Sequence, residues 1–157
     1  MAEGIGQKLI DLMIDRHITI STAESCTGGM LAAHIVDIPG ASRVFHEGYI
    51  TYNDDAKIHV LNVSKKTIAK YTAVSSETAA EMAEGCQKAA KSDIAVSVTG
   101  FAGPEDTALE PKGLVYIGCA YKGKAEAFKY KFEGDRNQIR FQAALKALEI
   151  AYVTLVS

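Results

Sequence analysis

The segment Ala23-Glu24-Ser25-Cys26-Thr27-Gly28-Gly29 follows directly on the β-branched run Ile18 to Thr22, so a hydroxyl, a thiol and a glycine pair meet where a strand turns into a helix. Such a corner lifts a side chain clear of the sheet. The first N–H groups of the following helix have no intrahelical partners, so one turn can supply both a nucleophile and donors for an oxyanion. Thr27-Gly28-Gly29 lets a ligand approach the main chain closely and makes the helix start a natural anion site. A plainer reading makes Ser25 an N-cap, and another makes the loop a phosphate cradle without chemistry. From these residues alone, binding and catalysis stand level, and catalysis requires a second group.

None of His17, His34, His46 and His59 has an obvious orienting carboxylate, and no His/Cys/Asp grouping has a familiar metal-ligand spacing. Lys57 remains. Tyr52 at the end of a strand and Lys57 one turn into the next helix can both point to the sheet edge where Ser25 emerges. Taken singly, a solvated helix lysine and a half-buried sheet tyrosine are the simpler readings of these two residues. Cys26 is a rival nucleophile, because thiols ionise more readily at helix N-termini, but its side chain points away if that of Ser25 points into the site.

The elements that must position these groups follow from periodicity. Ile5, Leu9, Leu12 and Met13 recur at helical spacing, and His17 ends that helix before a strand over Ile18 to Thr22. Gly29 to Val36 predicts a short helix closed by Ile38-Pro39-Gly40. Phe45 to Tyr52 predicts a second strand, after which Asn53 caps a helix carrying Asp54, Asp55 and Lys57. Two helices follow, Lys65 to Tyr71 and Glu77 to Lys91, the second capped by Ser75 or Ser76. Asp93 to Thr99 reads as a strand buried on both faces that runs into Gly100-Phe101-Ala102-Gly103-Pro104. Leu114 to Tyr121 and Ala125 to Phe132 form a hairpin around Lys122-Gly123-Lys124, and a last helix covers Asp135 to Val153. The expected fold is an α/β class, three-layer α/β/α sandwich. Its sheet is mixed and mostly parallel, with at least one antiparallel strand.

The 157 residues fit one domain, expected over 1–157. Seventeen Lys and Arg against 19 Asp and Glu leave a formal charge of −2, which gives no reason to expect a nucleic-acid partner. Gly4-Ile5-Gly6 lacks the third glycine of a dinucleotide fingerprint, and there is no Walker A pattern. Three cysteines without paired spacing, and no apolar targeting run, point to a reducing cytoplasm. No run approaches the ~18 apolar residues of a spanning helix, so no membrane partner is expected, and Asn62-Val63-Ser64 reads as an irrelevant glycosylation match.

Several motifs then follow one another in order: the Ser25 segment, Pro39-Gly40-Ala41-Ser42, Tyr49 to Lys57, Ala73-Val74-Ser75, Thr99 to Pro104, and Gly134-Asp135-Arg136. In this ordered combination the chain resembles the CinA C-terminal domain family, the nicotinamide-nucleotide amidases, from its first helix to its last. The resemblance implies hydrolysis of the carboxamide of nicotinamide mononucleotide to nicotinic acid mononucleotide and ammonia, with no metal or other cofactor and with homo-oligomeric assembly. Ser25 matches the family nucleophile, Lys57 the general base and Tyr52 the hydroxyl that assists it. Ser42 and Thr99 match polar positions near the site.

On that reading, a lysine titrating near ~10.4 must be depressed by roughly three units, about 4 kcal/mol, to act as a base near neutrality. Main-chain amides around Thr27, Gly28 and Gly29 are expected to receive the oxyanion. One of Arg136 and Arg140 is expected to hold the phosphate, helped by the Gly100 to Gly103 loop. The stretch Glu105 to Gly113 departs from the family, lacking the two glycines and the Lys-Pro-Val-Gly run that usually follow Pro104. A non-catalytic nucleotide-binding module and a structural partner of competence or DNA-repair proteins are the alternatives that remain.

Overall fold

A computed structural model describes residues 2–157. The chain runs α1 (Ala2–Arg16), β1 (Ile20–Glu24), α2 (Met30–Val36), a 3-10 turn (Ala41–Arg43), β2 (Phe45–Ile50), α3 (Asp54–Leu61), α4 (Lys65–Tyr71), α5 (Ser76–Ala90), β3 (Ile94–Gly100), β4 (Leu114–Tyr121), β5 (Lys124–Lys131) and α6 (Arg136–Val156). The sheet order is β2-β1-β3-β4-β5. β1 pairs in parallel with both β2 and β3, whereas β3–β4 and β4–β5 are antiparallel, so β4 alone runs against the other four strands. Helices α1, α2 and α6 cover one face around a core that includes Leu9, Leu31, Ile35, Val96 and Ile139. The other face carries α3, α4 and α5, packed around Leu61, Met82, Cys86 and Ala95. This is the expected three-layer sandwich.

The period-2 alternation of the central strands assigns each side chain to a layer. In β3, Ile94, Val96 and Val98 enter the α1/α2/α6 core. Their neighbours Ser97 and Thr99 turn to the other face, where their hydroxyls donate to the carbonyls of Ala79 and Ala73 at 2.6 and 2.9 Å. β1 alternates in the same way: Ile20 enters the first core and Ala23 the second. Glu24 therefore faces α2, and Ser25, the next residue, faces α3.

Strand boundaries shift from expectation by one or two residues, and two of these shifts bear on the site. β1 begins at Ile20 and not Ile18, because His17 closes α1 in the left-handed region (φ 56°), the Ile18 amide returns to Met13 O at 2.9 Å, and Thr19 N is held by Asp93 Oδ2 at 2.8 Å. β2 ends at Ile50, since the carbonyls of Thr51 and Tyr52 turn away from the ladder toward an amine described below. Asn53 and Ser75 cap their helices as expected, accepting from the amides of Ala56 and Thr78, whereas Asp135, expected as the first residue of the last helix, is its N-cap and accepts from Gln138 N within a capping box.

Helix α3, which carries Lys57, is docked by a close approach of α5. A Cβ on Gly85 would stand 1.7 Å from the Leu61 carbonyl oxygen, which is main chain and cannot swing aside. Alanine is ordinarily favoured over glycine inside a helix by up to about 1 kcal/mol. Gly85→Ala is nevertheless expected to lower stability by about 2–3 kcal/mol, the range of an overpacked core. Urea unfolding measures this as a lower midpoint at unchanged slope.

Candidate active site

Ser25 stands immediately after β1, its amide still bonded to Val98 O at 2.9 Å, and its side chain turns to α3. There the Lys57 amine lies 3.1 Å from Ser25 Oγ, with both groups buried. Lys57 is 1% exposed, which sets aside its reading as a solvated helix lysine. The amine also donates to the carbonyls of Thr51 (2.9 Å), Tyr52 (3.3 Å) and Asn53 (3.5 Å). These carbonyls come from the turn between β2 and α3, so the end of one element and the first turn of the next form a cage around the nitrogen. Burial, which penalises the charged form, lowers the Lys57 pKa from its ordinary 10.5; the nearby Asp54 opposes the shift without cancelling it.

Ser25 and Lys57 open on a cavity of about 280 Å³, walled in part by Tyr52, Asp54, Thr99, Gly100, Gly103 and Arg136. Glu105 and Glu110, from the segment that departs from the family, also border it. Tyr52 is at the mouth, 59% exposed. Its hydroxyl accepts from Arg136 Nη2 at 3.1 Å, while it is the Tyr52 main-chain carbonyl that meets Lys57. Arg136 also donates to the Gly103 carbonyl, tying α6 to the loop after β3.

Other expected site residues stand elsewhere. Ser42 is exposed in the 3-10 turn that enters β2, at the opposite end of this parallel strand from Tyr52, so it does not reach the cavity. Gly28 and Gly29 take left-handed φ of 54° and 108°, which explains the glycines, but neither lines the cavity. Gly29, and not Ser25, is the N-cap of α2. The helix start is not open to an outside anion: Glu24 Oε1 accepts from the amides of Gly29 (3.1 Å) and Leu31 (2.9 Å), and Glu24 Oε2 from Ala32 (3.0 Å). With the Gly28 amide turned to Ser25 O, this removes Gly28 and Gly29 from the anion site expected at Thr27 to Gly29. Arg140 likewise does not face the cavity; it donates to the carbonyls of Cys26 and Thr27, each at 2.9 Å.

The Gly28 amide bonds to Ser25 O at 3.0 Å and closes a four-residue turn. Inside that turn, the amides of Cys26 and Thr27 meet no acceptor among the described residues. Two amides without an acceptor, that of Cys26, which borders the cavity, and that of Thr27, thus stand one step earlier in the chain than the Thr27 to Gly29 amides the sequence indicates. The Cys26 side chain joins the opposite core, and burial pushes its thiol up to about 12. We expect Cys26→Ala to keep turnover within about threefold of the parent and the native thiol to resist iodoacetamide at pH 8, both read by mass spectrometry and rate assay.

Sequence reasoning missed Glu24. Its signal was present: a carboxylate in an apolar strand, just before a helix whose N-cap, Gly29, has no side chain to cap it. Among the described residues, no helix is long and apolar enough to cross a membrane.

A family profile described as CinA C-terminal domain matches residues 2–155. A relative from Clostridium novyi, named for competence-damage induction, is 51% identical over 139 residues, covering 88% of this chain and 34% of its own length. A CinA-like protein of Kosmotoga olearia is 48% identical over 148 residues, 94% of this chain and 36% of that protein. The chain thus spans about a third of the length of these curated relatives. Among solved structures, a competence-damaged protein (CinA) superfamily protein from Escherichia coli matches with TM-score 0.92 and 32% identity over 100% of this chain and 91% of that one. A competence/damage inducible protein from Agrobacterium tumefaciens matches with TM-score 0.93 and 34% identity, covering 99% and 96%.

Proposed function

This chain belongs to the CinA C-terminal domain family, and from that premise we propose that it is a Ser/Lys amidohydrolase releasing ammonia from the carboxamide of nicotinamide mononucleotide. The observation that carries this reading is the buried Lys57 amine 3.1 Å from Ser25 Oγ at the wall of a cavity.

The geometry supports a stepwise mechanism. A neutral amine has two N–H bonds and one lone pair. If the N–H groups go to the carbonyls of the β2–α3 turn, the lone pair is left for the Ser25 hydroxyl. Lys57 takes the Ser25 proton as Oγ bonds to the amide carbon. The carbonyl oxygen, now anionic, is received by the amides of Cys26 and Thr27. The Lys57 ammonium, steadied by the same carbonyls, returns its proton to the amide nitrogen, which leaves as ammonia and not as an amide anion. Water then gives a proton to Lys57 and attacks the acyl-serine; Lys57 passes that proton to the departing Ser25 Oγ, and the carboxylic acid formed ionises to the carboxylate in solution.

Phosphate recognition falls to Arg136 on this reading, since it borders the cavity and spends two donors on the Gly103 carbonyl and the Tyr52 hydroxyl, leaving others of its five. Arg136→Ala is expected to raise KM for the mononucleotide about 10-fold or more, the loss of one charge-assisted contact, while turnover of nicotinamide riboside stays within about threefold. Equal effects on both substrates would remove phosphate from the account. Ammonia release from the mononucleotide tests the activity itself, because a nucleotide-binding module would bind the compound and release none.

A further inference from the structure

Arg140 spends its guanidinium on the protein. Nε donates to Cys26 O at 2.9 Å, Nη2 to Thr27 O at 2.9 Å and Nη1 to Asn137 Oδ1 at 3.2 Å. In a planar trans peptide the C=O and the following N–H point in opposite directions, and the one cis bond among the described residues is Gly103-Pro104. Drawing the Cys26 carbonyl toward α6 therefore turns the Thr27 amide away from the guanidinium. Drawing the Thr27 carbonyl the same way turns the Gly28 amide away, where it finds Ser25 O at 3.0 Å and closes the turn. On the far side, Glu24 fixes the next amides, those of Gly29, Leu31 and Ala32. The segment after the nucleophile is thus gripped by a cation through its carbonyls and by an anion through its amides, with the amides of Cys26 and Thr27 left over between the two grips.

We infer that Arg140 is a positioning residue: it aims the amides that receive the oxyanion and does not touch the substrate. This inference rests on the amidohydrolase reading above, and it reassigns a residue that the sequence offers as a phosphate ligand.

The test compares the full chain with Arg140→Ala, using amide hydrogen exchange of residues 26–28 by NMR together with steady-state kinetics on nicotinamide mononucleotide. Exchange of the Gly28 amide is expected to accelerate at least about 10-fold, and kcat to fall about 100-fold, the cost of a lost oxyanion donor, with KM within threefold. Millimolar guanidinium, well below denaturing concentrations, should restore both, which a general loss of packing would not permit. Arg140→Lys, which keeps the charge but not the fork, should resemble Arg140→Ala and carries the same readouts if the alanine variant does not fold. A raised KM with unchanged exchange would make Arg140 a substrate ligand and overturn the inference. Faster exchange with unchanged kcat would overturn it while leaving the amidase intact. If the parent protein releases no ammonia, the amidase reading fails on its own, and unchanged exchange in Arg140→Ala would still overturn the grip on the turn.

Discussion

Lys57→Met should lower kcat on nicotinamide mononucleotide by about 10⁴-fold, the usual consequence of removing the base from a nucleophile–base pair, while leaving a folded protein. Methionine fills the volume of the lysine stem in a position 1% exposed but has no lone pair able to take the Ser25 proton. Lys57→Arg is expected to fail nearly as completely, because a guanidinium stays charged at any working pH. Residual activity near the parent level in either variant would exclude lysine as the base. The same substitution has a second signature in stability. The folded state depresses the Lys57 pKa below 10.5, so between the two values the unfolded chain binds the extra proton and stability rises with pH. The penalty is complete below the folded pKa and vanishes as pH passes the ordinary lysine value. Subtracting the pH–stability curve of Lys57→Met from that of the parent isolates this rise from the titration of other groups.

Ser25→Ala should abolish turnover to the same order, about 10⁴-fold, and Lys57→Met combined with Ser25→Ala should be no worse than either alone, because two groups acting as one unit are not additive. Binding should survive. Ser25 contributes one hydroxyl, 8% exposed, to a cavity whose walls are otherwise unchanged. Calorimetry on Ser25→Ala is therefore expected to give a Kd near the KM of the parent. With the parent enzyme, rapid quenching should trap the acyl form of the whole mononucleotide, ribose and phosphate included, on the peptide containing Ser25, and a Ser25→Ala variant should show no such mass on Cys26. A label on Cys26 would transfer the nucleophile to the thiol, against its burial and its pKa near 12.

The caps at Asn53 and Ser75 and the double-sided burial of β3 were legible because each is a local consequence of side-chain type. The pairing of Ser25 with Lys57 was legible only as a direction. A strand end and a helix start on the same sheet edge point two residues toward each other, but nothing local to Asp54-Asp55-Ala56-Lys57 announces that the lysine is buried. Three carbonyls of the β2–α3 turn fold back onto the amine from four to six residues upstream, and α5 approaches α3 through Gly85, a long-range contact that the local sequence does not carry. Arg136 and Arg140 look equivalent in sequence, one helical turn apart. They differ because α6 passes the Ser25 turn at one position and the cavity mouth at the other. Ser42 was placed near the site by the resemblance alone; the crossover from α2 brings it to the start of β2, away from the strand ends where Ser25 and Tyr52 emerge.

Direct titration of the Lys57 amine, by NMR of the chain labelled at lysine Cε or Nζ and assigned with Lys57→Met, addresses the chemistry at its source. The account predicts one lysine signal that changes protonation well below 10.5 and that moves when Ser25 is replaced by alanine. A Lys57 signal titrating with the surface lysines, indifferent to Ser25, would contradict it.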